Sequence, residues 1–466
     1  MIRIKQKTIK FEFQNAEMNF KYCWDVLCDL KLSTTEGNEF GNRMIAFQEK
    51  LAESIFKLHK LREDIIKEEK YTIQNKSRYK FNWFKERLKL LSIYKKGIDN
   101  TVNIAKSLGD AFAYFFYQFD TNLLEEHLSH QRIINSTAGI GELGELEFLK
   151  QIKHIEGRLT LYHGITNILR YGDFSFFDFL KFQIVELGEL KTKKIDDGTI
   201  ELNLTLLRHS RIKSCELSKS NLNDEDLKKN RRGRQKLEMI NFLKRAKETK
   251  NAIGVDLTNN YYFNEINDLF KSTKNRKTVT TQVSDGLAFS GSKFEKSSLY
   301  NKIFLRNPAE VINKHTEEFV NSIKKLMSST SNNNGLIIGQ LLYNPDFTDK
   351  NTPGTVPLFW YPLNLTLLKK LYFLEFYVFS FFNPAHLIET IQKQGFFIES
   401  KYAKKKKPTD EKYMIQRFDL FISYINNFLQ TESFVIDTIN KIQNYNWDIK
   451  PNHVLVKPQQ HFPTHH

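Results

Sequence analysis

Residues 184–194 read IVELGELKTKK, and the fold turns on what they are. Ile184, Val185, Leu187 and Leu190 make an apolar, strand-like run. It nevertheless carries Glu186, Glu189 and Lys191 and passes straight into Lys193 and Lys194. A buried strand avoids such charges, because an ion taken out of water without a partner is costly. Side chains alternate along a strand, so Glu189 and Lys191 share one face while Glu186 and Leu190 share the other. A carboxylate and an ammonium two residues apart on one face can form a site. The plainer reading is an exposed ion pair on a wet edge, which contributes little to stability.

The flanks supply company for the pair. Just upstream, RYGDFSFFD (170–178) offers Asp173 and Asp178. If FSFF and FQIVELGELK are adjacent antiparallel strands, Asp173 at the start of the first approaches Glu189 on the second. Gly172 gives the backbone freedom at a strand start that favours Asp173 over Asp178. Further upstream, GELGELEFL (141–149) sets Glu142 and Glu145 three apart, on one helix face. Asp196-Asp197-Gly198 is a turn into a further strand, GTIELNLTLLRH. Carboxylate oxygens suit a hard divalent cation. Such a cation lowers the pKa of a bound water and stabilises charge on a phosphate. A lysine beside it can orient or deprotonate the water, or neutralise the developing charge.

The ordered set of Gly-rich acidic helix, Gly-Asp, apolar strand, E-L-K and basic helix resembles the PD-(D/E)xK nuclease superfamily. No Pro precedes Asp173, a position where the superfamily tolerates other residues. The resemblance covers roughly 135–250 and extends at most through the strands expected at 335–365. It implies an α/β (α+β mixed), restriction-endonuclease-like core sheet flanked by helices, in the order α-β-β-β-α-β. It also implies metal ligands at Asp173 and Glu189, with Glu142 or Glu145 assisting and Glu186 as an additional candidate. Lys191 is implied as catalytic, the cofactor as Mg²⁺ or Mn²⁺, and DNA rather than RNA as the substrate. Gln235, on the following helix in RGRQKLEMINFL, is a candidate to join the site. The large helical additions resemble those of bacterial anti-phage defence nucleases. Such enzymes work beside a helicase, ATPase or sensor subunit, so a partner of that kind or a homo-oligomer is expected.

Composition agrees with a polyanionic partner. Lys and Arg outnumber Asp and Glu by 70 to 54, a net charge of +16, which favours nucleic acid ahead of an anionic membrane surface. A Lys-rich chain can also be merely a solvated basic one. The run KKNRRGRQK (228–236), with Arg231, Arg232, Arg234, Gln235 and Lys236, and the strand end RHSR, with Arg208 and Arg211, are the candidate phosphate contacts. AKKKK (403–407) reads as a basic loop, and His163 as structural. There are three cysteines, too few and too scattered for a disulfide framework or a zinc site, so the reducing cytoplasm is the expected compartment. No secretory leader is expected from MIRIKQKTIKFEF. The longest apolar run, LYFLEFYVFSFF (371–382), carries Glu375 and falls short of a membrane span, so it reads as a core helix or strand. No GK[ST] follows the glycines at 139–144, so they make no P-loop.

Along the chain, residues 1–14 read as a short strand and about 38–128 as helices with apolar residues every three or four positions. The expected division is a helical N-terminal region at 1–130, a nuclease-like α/β core with insertions at 131–400, and a helical C-terminal extension at 401–466. GLIIGQLLY (335–343) and TVPLFWYPLNL (355–365) read as strands, 217–250 as a basic helical stretch, and about 413–445 as helices. The competing function is a non-catalytic, basic nucleic-acid-binding or assembly subunit whose acidic cluster is structural. A degenerate nuclease fold used only for binding is a third.

Overall fold

The computed structural model describes residues 3–32, 38–120, 139–195, 200–208, 261–304, 337–343, 356–398 and 414–443, less one or two residues within some stretches, together with isolated positions such as His127. The chain forms two compact units. The first contains residues 1–250, 298–305 and 345–360, and the second contains the rest.

Three long helices begin the first unit: α1 (Gln6–Leu32), α2 (Asn38–Gln74) and α3 (Phe81–Phe116). In α1 the buried positions Ile9, Phe13, Ala16, Phe20, Cys23, Trp24, Leu27 and Leu30 follow the helical period. The strand expected over 1–14 is therefore corrected to helix. Ile9, Phe11 and Phe13 mimic alternation, but Ile9 and Phe13 are buried while Phe11 is 58% exposed. The helices interlock through aromatic rings, with Phe47 of α2 stacked on Phe112 of α3 at 4.3 Å. Between α2 and α3 lies a buried ion pair, Arg87 with Glu68. It is tied to the chain start, because Ile4 N–H donates to Glu68 (2.8 Å) and Arg87 donates to Ile4 O (3.0 Å).

Helix α4 (Ile140–Gln151) leads into a five-stranded sheet with strands in sequence order. The strands are β1 (His154–Ile155), β2 (Arg158–Tyr162), β3 (Phe174–Asp178), β4 (Gln183–Lys194) and β5 (Ile200–Arg208). All neighbours are antiparallel. The expected β3–β4 and β4–β5 hairpins are both present. Strand β2 stops at Tyr162, where the chain becomes a 3₁₀ turn, His163–Ile165. Phe174, Phe176 and Phe177 are fully buried, each contributing about 1.5–3 kcal/mol of burial.

Helix α4 lies close against the sheet. A Cβ on Gly144 would come within 2.2 Å of Thr192 Oγ1 on β4, so only glycine fits there. Gly144→Ala is expected to lower unfolding stability by about 1–3 kcal/mol through overpacking, read from the denaturant midpoint. An unchanged midpoint would place α4 elsewhere.

The second unit holds α5 (Phe263–Ser272) and a four-stranded antiparallel sheet of order β6-β7-β9-β8. Its strands are β6 (Thr278–Gln282), β7 (Leu287–Lys293), β8 (Ile338–Leu341) and β9 (Phe376–Phe382). The expected strand at 335–343 thus exists, but in this second sheet, and it does not extend the first. The strand expected at 355–365 is corrected. Pro357 and Pro362 bracket a 3₁₀ turn, Leu358–Trp360, and Asn364 then caps helix α6 (Leu365–Tyr372), accepting from Thr366 and Leu367 N–H. Proline donates no ladder hydrogen bond, which disfavours a strand here. The apolar run 371–382 is the end of α6 followed by β9. Helix α7 (Pro384–Lys393), the short parallel pair β10 (Phe397–Ile398) and β11 (Met414–Ile415), and helices α8 (Phe418–Asn426) and α9 (Glu432–Gln443) complete the unit. Mixed α and β architecture is thus established. Among the described residues, no helix is long and apolar enough to cross a membrane.

Candidate functional site

The site develops where β3 and β4 part. Their ladder ends at Phe174 opposite Gly188, while β4 runs on to Lys194 paired with β5 alone. One step beyond that last pair, Asp173 reaches the backbone on both sides of Glu189. Asp173 N–H donates to Gly188 O (2.8 Å), and Asp173 Oδ2 accepts from Leu190 N–H (2.7 Å). The side chain thus replaces the next ladder rung and lies at the edge of the sheet plane. Gly172 makes the approach possible, with φ of 70°.

Glu189 is 8% exposed, and its carboxylate is paired with the Lys191 ammonium. Both point to the same face, as the alternation requires. Glu186 faces the other way and is held by Arg158 at 2.7 Å. Asp178, the rival of Asp173, caps the hairpin turn instead. Its Oδ1 accepts from Leu180 N–H (2.9 Å) and Lys181 N–H (3.2 Å), roughly 17 Å along the strand from Asp173.

Glu142 and Glu145 occupy a neighbouring place. Helix α4 covers the face of β4 that carries Thr192, opposite to the Glu189 and Lys191 face. Glu145 Oε2 accepts from Tyr162 Oη at 2.7 Å. Glu142 Oε1 meets His59 Nδ1 at 3.0 Å, and its buried Oε2 has no hydrogen-bond partner among the described residues. Burial first, and then the negative charges of Glu145, Glu142 and Asp173, push the Tyr162 phenol far above its ordinary range. Tyr162 thus holds Glu145 through its hydroxyl and feels the charges of Glu142 and Asp173. The sheet separates those glutamates from Glu189, so the structure does not bring Glu142 to Glu189 as a shared ligand. Among the described residues, no three His, Cys, Asp or Glu side chains form a metal-holding group.

Asp173, held on Leu190 N–H at the sheet edge, and Glu189, held by the Lys191 ammonium, remain as carboxylates on neighbouring stretches of backbone. That donor set fits a hard divalent ion, since Mg²⁺ commonly takes one or two carboxylates and completes its shell with water and phosphate oxygens. Arg208 ends β5, opposite Glu186. Arg211, Arg231, Arg232, Arg234, Gln235 and Lys236, the AKKKK loop and the helical stretch expected at 217–250 lie outside the described residues.

Several neighbours of the site escaped the sequence reading. Tyr162, His59 and the buried Lys106 are the nearest. Burial pushes the Lys106 ammonium down, against the pull of Asp110 and Glu142. Asp110 Oδ1 accepts from Asn167 N–H (2.7 Å) and Ile168 N–H (3.2 Å), fixing the start of the loop that ends at Asp173. Burial raises its carboxyl to about 6 from an ordinary 3.8, outweighing those hydrogen bonds. A carboxyl raised in the fold stabilises it when protonated. The contribution is complete below pH 3.8 and is lost as the pH rises through about 6. Asp110→Asn should therefore flatten the fall in thermal stability over that window. A slope equal to the wild type's would assign it to other groups.

Burial likewise pushes His163 down to about 4, so its ring is neutral near pH 7. Compared with known protein families, curated proteins and solved structures, the chain matches none.

Proposed function

We propose that this chain is a metal-dependent nuclease of the PD-(D/E)xK kind, hydrolysing phosphodiester bonds of nucleic acid, DNA before RNA. The observation that carries the reading is Asp173 at the point where β3 and β4 part, bonded to Gly188 O and Leu190 N–H on either side of Glu189, with Lys191 against Glu189. Helix α4 is followed by five antiparallel strands, of which β2, β3 and β4 would stand for the three successive strands of that superfamily, while the strand expected to follow at 335–343 belongs to the second sheet. Asp173 and Glu189 would hold Mg²⁺ or Mn²⁺. When bound, the ion supplies positive charge against a phosphodiester oxygen. Leu190 N–H keeps the Asp173 carboxylate oriented. Lys191, half-exposed, points its donors toward incoming water or phosphate once Glu189 is shared with the ion. The basic surplus of the chain draws the polyanion to it. A role in anti-phage defence, beside an ATPase, helicase or sensor subunit, belongs to this reading.

One observation favours a second reading. The described carboxylates of the cluster already have partners: Glu189 with Lys191, Asp173 with Leu190 N–H, Glu142 with His59 and Glu145 with Tyr162. A binding or assembly subunit with a structural acidic cluster needs no more than that. Incubation of plasmid with the protein and Mg²⁺ or Mn²⁺ decides between them. Cleavage that needs the ion and is lost in Glu189→Ala and in Lys191→Ala supports the nuclease. Cleavage unchanged in both variants overturns the site.

A further inference from the structure

Four buried side chains form a continuous hydrogen-bonded chain beside the loop that carries Asp173. They are His127, Tyr117 at the end of α3, Ser175 on β3, and His163 in the 3₁₀ turn. Ser175 lies two residues from Asp173, on the Leu187 and Glu189 face of the sheet. The contacts are His127 Nε2 to Tyr117 Oη at 3.0 Å, Tyr117 Oη to Ser175 Oγ at 2.7 Å, and Ser175 Oγ to His163 Nε2 at 2.5 Å.

Both ends of this chain touch backbone, and that fixes every proton. His127 Nδ1 accepts from Arg170 N–H (3.1 Å) and Tyr171 N–H (3.2 Å). An atom that accepts carries no proton, so the ring's hydrogen is on Nε2 and is donated to Tyr117. At the other end, His163 Nδ1 faces Gly172 O at 3.1 Å. A carbonyl only accepts, so Nδ1 carries the hydrogen and Nε2 is bare. Ser175 must then donate to His163, and Tyr117 must donate to Ser175. A single order of donors satisfies all four groups.

We infer that this relay is a positioning device that holds residues 170–173 and thereby the Asp173 carboxylate. Its ends grip Arg170 N–H, Tyr171 N–H and Gly172 O. The backbone N–H of His163 adds Asp173 O (2.9 Å), and Gly188 O takes Asp173 N–H. Each residue from 170 to 173 is thus tied by at least one hydrogen bond. None of the four side chains is required to meet a substrate. Partners that orient a metal-binding carboxylate are worth about 10–100-fold in metal affinity or activity. This functional consequence rests on the nuclease reading, whereas the positioning itself does not.

The test separates the two. Nitrogen NMR of the histidines should show the His163 hydrogen on Nδ1 and the His127 hydrogen on Nε2. The reverse on either ring overturns the relay. Hydrogen exchange at the Leu190 amide then reports where the Asp173 carboxylate is, with or without cleavage. In Ser175→Ala and in the milder Tyr117→Phe, Leu190 exchange should rise about tenfold or more, while Leu187 on the same strand keeps its protection. Unchanged Leu190 exchange in Tyr117→Phe, with the hydroxyl gone and the fold intact, overturns the proposal. If the wild type cleaves plasmid, both variants should need about 10–100-fold more Mg²⁺ for half-maximal cleavage, and an unchanged requirement also overturns it. If the wild type alone does not cleave, the tautomers and the Leu190 amide still judge the relay.

Discussion

Arg87→Ala should cost this chain about 3–5 kcal/mol of unfolding stability, the loss seen when one partner of a buried ion pair is removed. Glu68 is only 2% exposed and accepts from the Arg87 guanidinium and from Ile4 N–H. With the guanidinium gone, a full negative charge stays among α1, α2 and α3 with one backbone N–H for company, and Ile4 O loses its donor as well. A loss of that size is a large fraction of the about 5–15 kcal/mol that holds an ordinary domain together. Arg87→Lys keeps the charge but not the planar fork, and should fall between the two. Replacing both partners with Met should recover part of the loss, limited by the stranded Ile4 backbone groups. Denaturant unfolding of the four proteins checks the order. A loss below about 1 kcal/mol for Arg87→Ala, the range of an exposed pair, would show that water reaches the site.

That pair was invisible in the sequence, and the reason is physical. Glu68 and Arg87 each sit among many other charges, and nothing local marks the two that are buried together. The β3–β4–β5 hairpins were legible because alternation and short connections are local signals. Asp173 at the start of β3, beside the Gly188–Leu190 stretch of β4, follows from the same antiparallel register. Residues 1–14 misled because Phe11 completes an alternating trio with Ile9 and Phe13, although it faces solvent. The aromatic run at 355–365 looked like a strand by composition, but its prolines remove ladder donors. The two glutamates of α4 were rightly placed on one helix and wrongly expected to meet Glu189, because the sequence does not say which face of the sheet a helix covers. Gly144 was the clue, since close helix-to-sheet contact is what a glycine at that position permits. The relay draws its members from four separate stretches of chain, and nothing local marks any of them as partners of the others.

Glu189→Ala and Lys191→Ala should both abolish cleavage but differ in stability, and the difference tests the site. The Lys191 side chain is 39% exposed and that of Glu189 10%. Removing Glu189 leaves an ammonium that can turn to water, so the cost should stay within about 1 kcal/mol. Removing Lys191 leaves a buried carboxylate without its cation, which costs about 1–3 kcal/mol or more. A divalent ion bound by the folded chain adds stability by mass action. In the wild type it competes with Lys191 for Glu189, whereas in Lys191→Ala it meets no competitor. Mg²⁺ or Mn²⁺ should therefore raise the melting temperature of Lys191→Ala more than that of the wild type, and that of Glu189→Ala least. Cleavage should fall by more than about 100-fold in both variants, beyond the loss that an orienting partner alone produces. Equal shifts in all three proteins would place the ion away from Glu189. No shift in Lys191→Ala would leave Glu189 as half of a structural ion pair, and the binding-subunit reading would then take the place of the enzyme.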